Sequence, residues 1–322
     1  MRNLLRLTVW CWIAACQEVD AGDAPKRSAP ADLTFQLDVT VPAGDELFRC
    51  IYAQLPDDRG PIAVRAVESS YTPGSHHLLV YRTDLTDVPY AETGVWDCSE
   101  GPWLGLTRGA YYEAQQPNDA RELPDGIAHV FEPGEVLIVQ SHYINTFEAD
   151  IDAHVELTLR TLDADDIRAE AGTIYFNDSD IHVPPFALAS ASMSCPLPED
   201  MHLLLLWSHM HARGVRFVVE TDDPAAAAML GSPLYEARGW AEPQAKSYPV
   251  RRDAVLHAGS RIHFRCEYEN DGERTYRFGS SAATDEMCIL HGMYWPRTSR
   301  DYEQCLIGRM TSTSRSAVPS YR

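Results

Sequence analysis

Three features predict an all-β chain in two parts. Apolar residues alternate with polar ones over short segments, at the period of half-buried strands. Short continuous apolar runs occur between turn signals and suit strands covered on both faces. The 322 residues exceed what one core usually organises, which favours two domains. Taken in order, Thr34 to Val41 alternates as Thr-Phe-Gln-Leu-Asp-Val-Thr-Val. Pro73-Gly74 and Pro133-Gly134 supply turns, and Val136 to Val139 is a continuous apolar run. Ala153 to Arg160 alternates again, and the acidic Asp163-Ala164-Asp165-Asp166 that follows is the best domain boundary. Beyond it, Ala171-Gly172-Thr173-Ile174-Tyr175 opens the second part, Leu203 to Leu206 is another apolar run, and Asp271-Gly272 is a turn. Only Asp223 to Leu230, with four alanines, reads as helix.

The start of the chain reads as an address. Arg2 and Arg6 precede the mostly apolar Leu7 to Ala15, a signal-peptide layout too short for a permanent span. Ile13-Ala14-Ala15-Cys16 has the form of a bacterial lipobox, in which Cys16 becomes a lipidated first residue; an ordinary secretory signal cut a few residues later is the alternative. Residues 1–16 are thus expected to be leader, 17–31 a small, polar tether, 32–165 one domain and 166–318 the other. Export would leave six cysteines, an even number in an oxidising compartment, so three disulfides are expected. The net charge of −20 argues against nucleic-acid binding, which neutralises phosphates with Lys and Arg. No phosphate loop, CxxC pair or G-x-S-x-G elbow is present.

Five histidines and a methionine carry the chemistry: His76-His77, His142, His209-Met210-His211, and Met287 in Asp285-Glu286-Met287-Cys288. Residues two apart on a strand face the same way, so His209 and His211 can reach one ion. Adjacent His76 and His77 would face opposite ways on a regular strand, so joint ligation needs a bulge or a strand end. Imidazole suits copper in both oxidation states, and a thioether favours Cu(I) over zinc, magnesium or calcium. His129, His154, His182, His202, His257 and His263 fit no ligand pattern. Gln140 and Tyr143, beside His142, are candidates to orient it.

Ser75-His76-His77-Leu78-Leu79, Val139-Gln140-Ser141-His142-Tyr143, Ser208-His209-Met210-His211 and Ser280-Ser281 through Cys288 resemble the copper type II, ascorbate-dependent monooxygenases, with Glu122-Leu123-Pro124-Asp125-Gly126 also fitting. The resemblance covers about residues 32 to 310. It implies two jelly-roll-like antiparallel sandwiches with a copper cleft between them, and two copper ions per chain. His76, His77 and His142 would hold an electron-storing copper, and His209, His211 and Met287 the copper that meets dioxygen, with ascorbate or another reductant as donor. It also implies disulfides Cys266–Cys288 and Cys195–Cys305, with Cys50 and Cys98 as the remaining pair.

The substrate is where the resemblance weakens. Relatives acting on peptidylglycine hold its carboxylate with an arginine where this chain has Trp207, and their assisting Asn and Tyr correspond to Ile289 and His291. A peptide substrate is therefore disfavoured, and Trp207, His291 and Tyr294 suggest an apolar or aromatic pocket, although Trp207 fits a core position equally. The expected function is hydroxylation of a small organic substrate by O2 at a membrane surface reached through a lipid anchor. The alternatives are a copper-holding lipoprotein without turnover and an adhesion module with incidental histidines. A blue-copper carrier would need a free thiolate, which oxidised cysteines cannot supply.

Overall fold

The computed structural model describes residues 31–311 apart from 59, 90–93, 100–105, 242, 299–303 and 307–308. The leader and tether expected over 1–31, with Cys16, fall almost wholly outside the described residues, as does the end of the second part near 318. The chain is an all-β sandwich protein with one short α-helix among the described residues. Strand pairing divides it: among the described residues, no strand of 33–170 pairs with one of 172–311.

In the first half, one sheet runs in the order Leu33–Val41, Ile151–Leu162, Ile62–Tyr71, Ile127–Phe131, Ala169–Glu170. The other runs Trp96–Asp97, Glu46–Gln54, Val136–Ile144, Ser75–Thr83, Thr107–Ala114. Leu37, Val155 and Leu157 of the first meet Leu78, Val80, Leu137 and Val139 of the second in one core. The second half repeats this plan. Lys246–Ser247, His202–Met210, Cys288–Trp295, Gly172–Asn177, Gln304–Leu306 and Arg309–Thr311 face Ala187–Pro196, Arg261–Asn270, Gly214–Thr221 and Tyr235–Arg238, with Leu206, Leu290, Phe217 and Phe264 between them. Cys195–Cys305 and Cys266–Cys288 each join these two sheets, and Cys50–Cys98 is also formed.

Local chemistry sets the punctuation. Gly74 and Gly134 sit at φ 110° and 72°, in a region that favours glycine, and turn the chain into the strands carrying His76-His77 and His142. The helix Pro224–Leu230 starts where Asp223 accepts from the amides of Ala225 and Ala226. Between Asp163 and the second half stand the 3-10 turn Ala164–Asp166 and the short strand Ala169–Glu170, which still pairs with Ile127–Phe131 of the first half.

The two strands read as covered on both faces have a shared cause. In Val136–Ile144, Leu137, Val139 and Tyr143 enter the core of their own half. Ile138 instead joins Leu79, Tyr81 and Tyr175, the last from the other half. In His202–Met210, Leu203, Leu206 and Met210 enter their own core, whereas Leu204 and Trp207 meet Leu123 and Ile127 of the first half. The second faces of these central strands are each covered partly by the other half, and the same faces carry His142 and His209.

Candidate metal centre

The five histidines come together where the halves abut. His142 lies near the end of its strand, opposite His77, and the ladder slips by one residue between Ser75 and His77. This bulge brings both adjacent imidazoles toward one place, their ring centroids 4.9 Å apart. His76 and His77 lie 5.2 and 4.9 Å from His142. Across the halves, His76 is 5.5 Å from both His209 and His211, and His77 is 5.2 Å from His209. The ligand atoms of His76, His77 and His209 all lie within 4.8 Å of one another. The two ligand sets thus adjoin rather than face each other over open space.

Each imidazole keeps one nitrogen bare. His76 Nε2, His77 Nδ1, His142 Nδ1, His209 Nε2 and His211 Nε2 are buried with no hydrogen-bond partner. The opposite nitrogens of three are fixed. His142 Nε2 meets Glu46 Oε1 at 2.8 Å, His211 Nδ1 meets the Asp285 carbonyl at 3.1 Å, and His209 Nδ1 meets Glu113 Oε1 at 2.8 Å and Gln115 Oε1 at 3.1 Å. Buried polar atoms are rarely left unpaired, and carboxylates or carbonyls behind imidazoles are how metal ligands are usually held. Three of the rings also stay neutral. Burial, reinforced by neighbouring imidazoles, lowers His76 to about 2 and His211 to about 3, and puts His77 well below the usual range. A neutral imidazole offers its lone pair without first losing a proton. The donor set therefore fits a transition-metal ion.

Met287 is held beside this cluster. Glu286 Oε2 and Oε1 accept from the amides of His211 and Arg213 at 3.1 and 2.8 Å, the Met287 carbonyl accepts from Tyr268 Oη at 2.9 Å, and Cys288 is bonded to Cys266. Met287 lines a cavity of about 460 Å³ together with His77, His209, Ile289 and His291. Phe48, Leu79, Tyr81, Tyr175 and Phe278 supply apolar and aromatic wall.

The structure corrects several individual expectations. Trp207 is not among the described residues lining the cavity; it is 2% exposed, packed with Leu204 and Met293, and it stacks on His291 from behind at 5.3 Å. Tyr294 is core, its hydroxyl on Glu199. Neither Gln140 nor Tyr143 orients His142. Gln140 lines the cavity and Tyr143 fills the core, and Glu46 takes the orienting part. Glu46, Glu113 and Gln115 are what sequence reasoning missed. A glutamate between Tyr112 and Ala114, at the end of the run Ala110-Tyr111-Tyr112, was the available signal, since such a charge is buried only with partners. Glu113 is 1% exposed; burial pushes its carboxyl up, but His291 and His209 outweigh this and hold it well below the usual range. His129 is interior, on the Ala171 carbonyl; His154 and His257 pair with Asp38 and Asp223.

The fold and site define an all-β protein with a buried imidazole centre between two sandwiches. Residues 171–315, which carry His209, His211 and Met287, match the family model of the copper type II ascorbate-dependent monooxygenase C-terminal domain. No curated protein matches the chain. Among solved structures it is similar to the crystal structure of the STIV MCP, at 11% identity over 82% of this chain and 97% of that one, TM-score 0.35. It is also similar to the cryo-EM structure of Broad Bean Stain Virus, at 9% identity over 90% and 100%, TM-score 0.38. Recombinant N-glycanase F is similar at 9% identity over 83% and 97%, TM-score 0.35.

Proposed function

We propose that the protein is a copper-dependent monooxygenase that hydroxylates a C–H bond of a small organic substrate, using O2 and an external reductant such as ascorbate. One observation carries this reading: five buried imidazoles converge with their bare nitrogens beside a methionine-lined cavity. The match over residues 171–315 supports copper as the metal. His76, His77 and His142 would hold the electron-storing ion, and His209, His211 and Met287 the ion that meets dioxygen. When bound, copper supplies one-electron redox change and a place for O2; overall, two electrons from the reductant and two protons leave one oxygen on carbon and the other in water. The protein's own share is to fix the coordinating tautomers of His142, His209 and His211, to present five bare nitrogens and the thioether, and to keep water out of the buried face.

Metal analysis with oxygen uptake tests this. Two coppers per chain, with ascorbate-dependent O2 consumption stimulated by a hydroxylatable substrate, is the expected result. The second reading, a copper-holding protein without turnover, draws on the 4.8 Å grouping of His76, His77 and His209, which a single ion could take. One copper per chain and no coupled O2 uptake would replace the first reading with this one. The same proposal places the protein outside the cytosol, as three disulfides favour, anchored through Cys16. Growth with a labelled fatty acid should mark the wild-type protein and not Cys16→Ala; an unlabelled wild type would refute the anchor.

A further inference from the structure

We infer that the recess between His76 and Trp240 is where the electron donor docks, that it takes a small planar diol of the enediol or hydroquinone kind by stacking rather than by charge, and that Trp240 positions the donor's ring. This rests on the monooxygenase reading only in taking the centre to be one that is reduced.

The imidazole cluster borders two separate cavities. His77, His209 and Met287 line the one of about 460 Å³. A recess of about 350 Å³ is lined by Ser75, His76, Gln115 and Ile144 of the first half and by Trp240 and Ala241 of the second. No described residue lines both. His76 links the recess to the cluster. Its ring centroid lies 4.9 Å from that of His77, 5.2 Å from His142 and 5.5 Å from both His209 and His211. Those four residues are at most 3% exposed, whereas His76 is partly exposed and meets the Trp240 ring at 6.0 Å. An electron delivered to the His76 ring is therefore already inside the cluster. The donor need not enter the cavity beside Met287, which stays free for substrate.

The walls define what fits. Ser75 Oγ lies 3.1 Å from the carbonyls of His77 and His142, to which it donates. Gln115 Nε2 donates to the Ser208 carbonyl at 3.1 Å while its Oε1 lies 3.1 Å from His209 Nδ1. These polar groups are engaged, and no Asp, Glu, Lys or Arg is among the described residues lining the recess. With no cation to grip an anion, recognition falls to shape and ring contact. The Trp240 indole packs from behind against the core of its own half, and Ile144, whose amide donates to the Gly74 carbonyl at 3.0 Å, supplies apolar wall. A ring lying on the indole is brought beside His76, and the volume suits a one-ring molecule. Conjugated diols give up electrons singly. In each visit one electron passes to Cu(II), leaving Cu(I), a hydroxyl proton goes to water, and the donor departs as its radical; two visits supply the two electrons of the proposed reaction.

Saturation-transfer NMR on metal-free protein with ascorbate and with hydroquinone, followed by anaerobic reduction of copper(II)-loaded protein read by loss of the copper(II) resonance signal, tests this without O2 or turnover. Wild type should bind at least one of the two donors, and its reduction by that donor should saturate with concentration. Ascorbate alone or hydroquinone alone identifies which diol is taken. Trp240→Ala should weaken binding and slow reduction about tenfold, the order for one lost aromatic contact, and Trp240→Phe should restore most of both. Ala241→Trp, at an exposed position, should fill the recess and do the same with copper content unchanged. Binding of neither donor by wild type, or donor binding and reduction that both survive A241W, would overturn the inference. A241W decides even if W240A fails to fold, and the binding arm decides even in protein without copper. Copper content and substrate-coupled O2 uptake, measured separately, decide the monooxygenase reading.

Discussion

Glu113→Gln is the perturbation that most directly probes how the centre is set. Glu113 offers two acceptor oxygens to three N–H groups, from His209 and His291 at 2.8 Å each and from Trp207 at 3.1 Å. Glutamine has nearly the same shape but one acceptor and one donor group. If its oxygen serves Trp207 and His291, its amide hydrogens confront His209 Nδ1–H. The clash is relieved when His209 moves its proton to Nε2, the nitrogen otherwise bare for metal. The metal must then displace that proton. Gln115 Oε1, 3.1 Å from His209 Nδ1, opposes the switch and keeps the effect from being total.

Loss of an outer partner of this kind typically weakens metal binding 10- to 100-fold, about 1.4 to 2.7 kcal/mol. The assay is Cu(I) titration against a chromophoric chelator, with melting of the metal-free protein as a check on folding. The expected result is one weakened copper equivalent and a folded protein. Wild-type copper affinity in folded E113Q would refute the account of His209.

Met287→Ala should cut ascorbate-dependent O2 consumption by on the order of a hundredfold while removing no more than one copper per chain, measured by electrode and metal analysis. Replacing Cys195 and Cys305 with alanine opens a loop spanning 110 residues. It should cost about 4 to 5 kcal/mol in denaturant unfolding. His129 is lowered to about 3 by burial, with Arg82 and Arg297 adding to it. The folded chain therefore keeps it neutral while the unfolded chain protonates it below pH 6.5, so stability falls as pH drops from 6.5 toward 3. Relative to neutral pH, metal-free protein should lose roughly 2 to 3 kcal/mol at pH 4.5 through this residue alone, and His129→Gln should remove that part of the pH dependence.

What was legible in the sequence is what depends on near neighbours. Alternation in Thr34 to Val41 marked a half-buried strand, and the apolar runs at Val136 and Leu203 marked doubly covered ones. Asp223 and Pro224 marked the helix start, and the His-His pair required a bulge that is present. The orienting carboxylates were not legible, because Glu46 is 96 positions from His142 and Glu113 is 96 from His209. Trp207 shares a strand face with His209, so periodicity could not tell cavity from core; the Leu123 and Ile127 contacts, also long-range, decide it. The adjoining of the two ligand sets is likewise a docking result that no local pattern encodes.

That docking has a consequence for affinity. Glu113 and Gln115, from the first half, set the tautomer of His209 in the second. Glu46, also from the first half, orients His142 and accepts from Ser281 Oγ at 2.9 Å and the Ala282 amide at 3.2 Å in the segment leading to Met287. Each half therefore completes the other's ligands, and parting them would leave His209 Nδ1 and Glu46 without these partners. A hydrogen bond is lost within about an ångström of separation, so metal affinity and closure of the halves must be coupled. By linkage, whatever factor closure adds to metal binding, bound metal returns to closure. Metal-free protein should accordingly open more readily, and Glu46→Gln, which weakens the contact without touching a bare nitrogen, should raise that opening in both metal states.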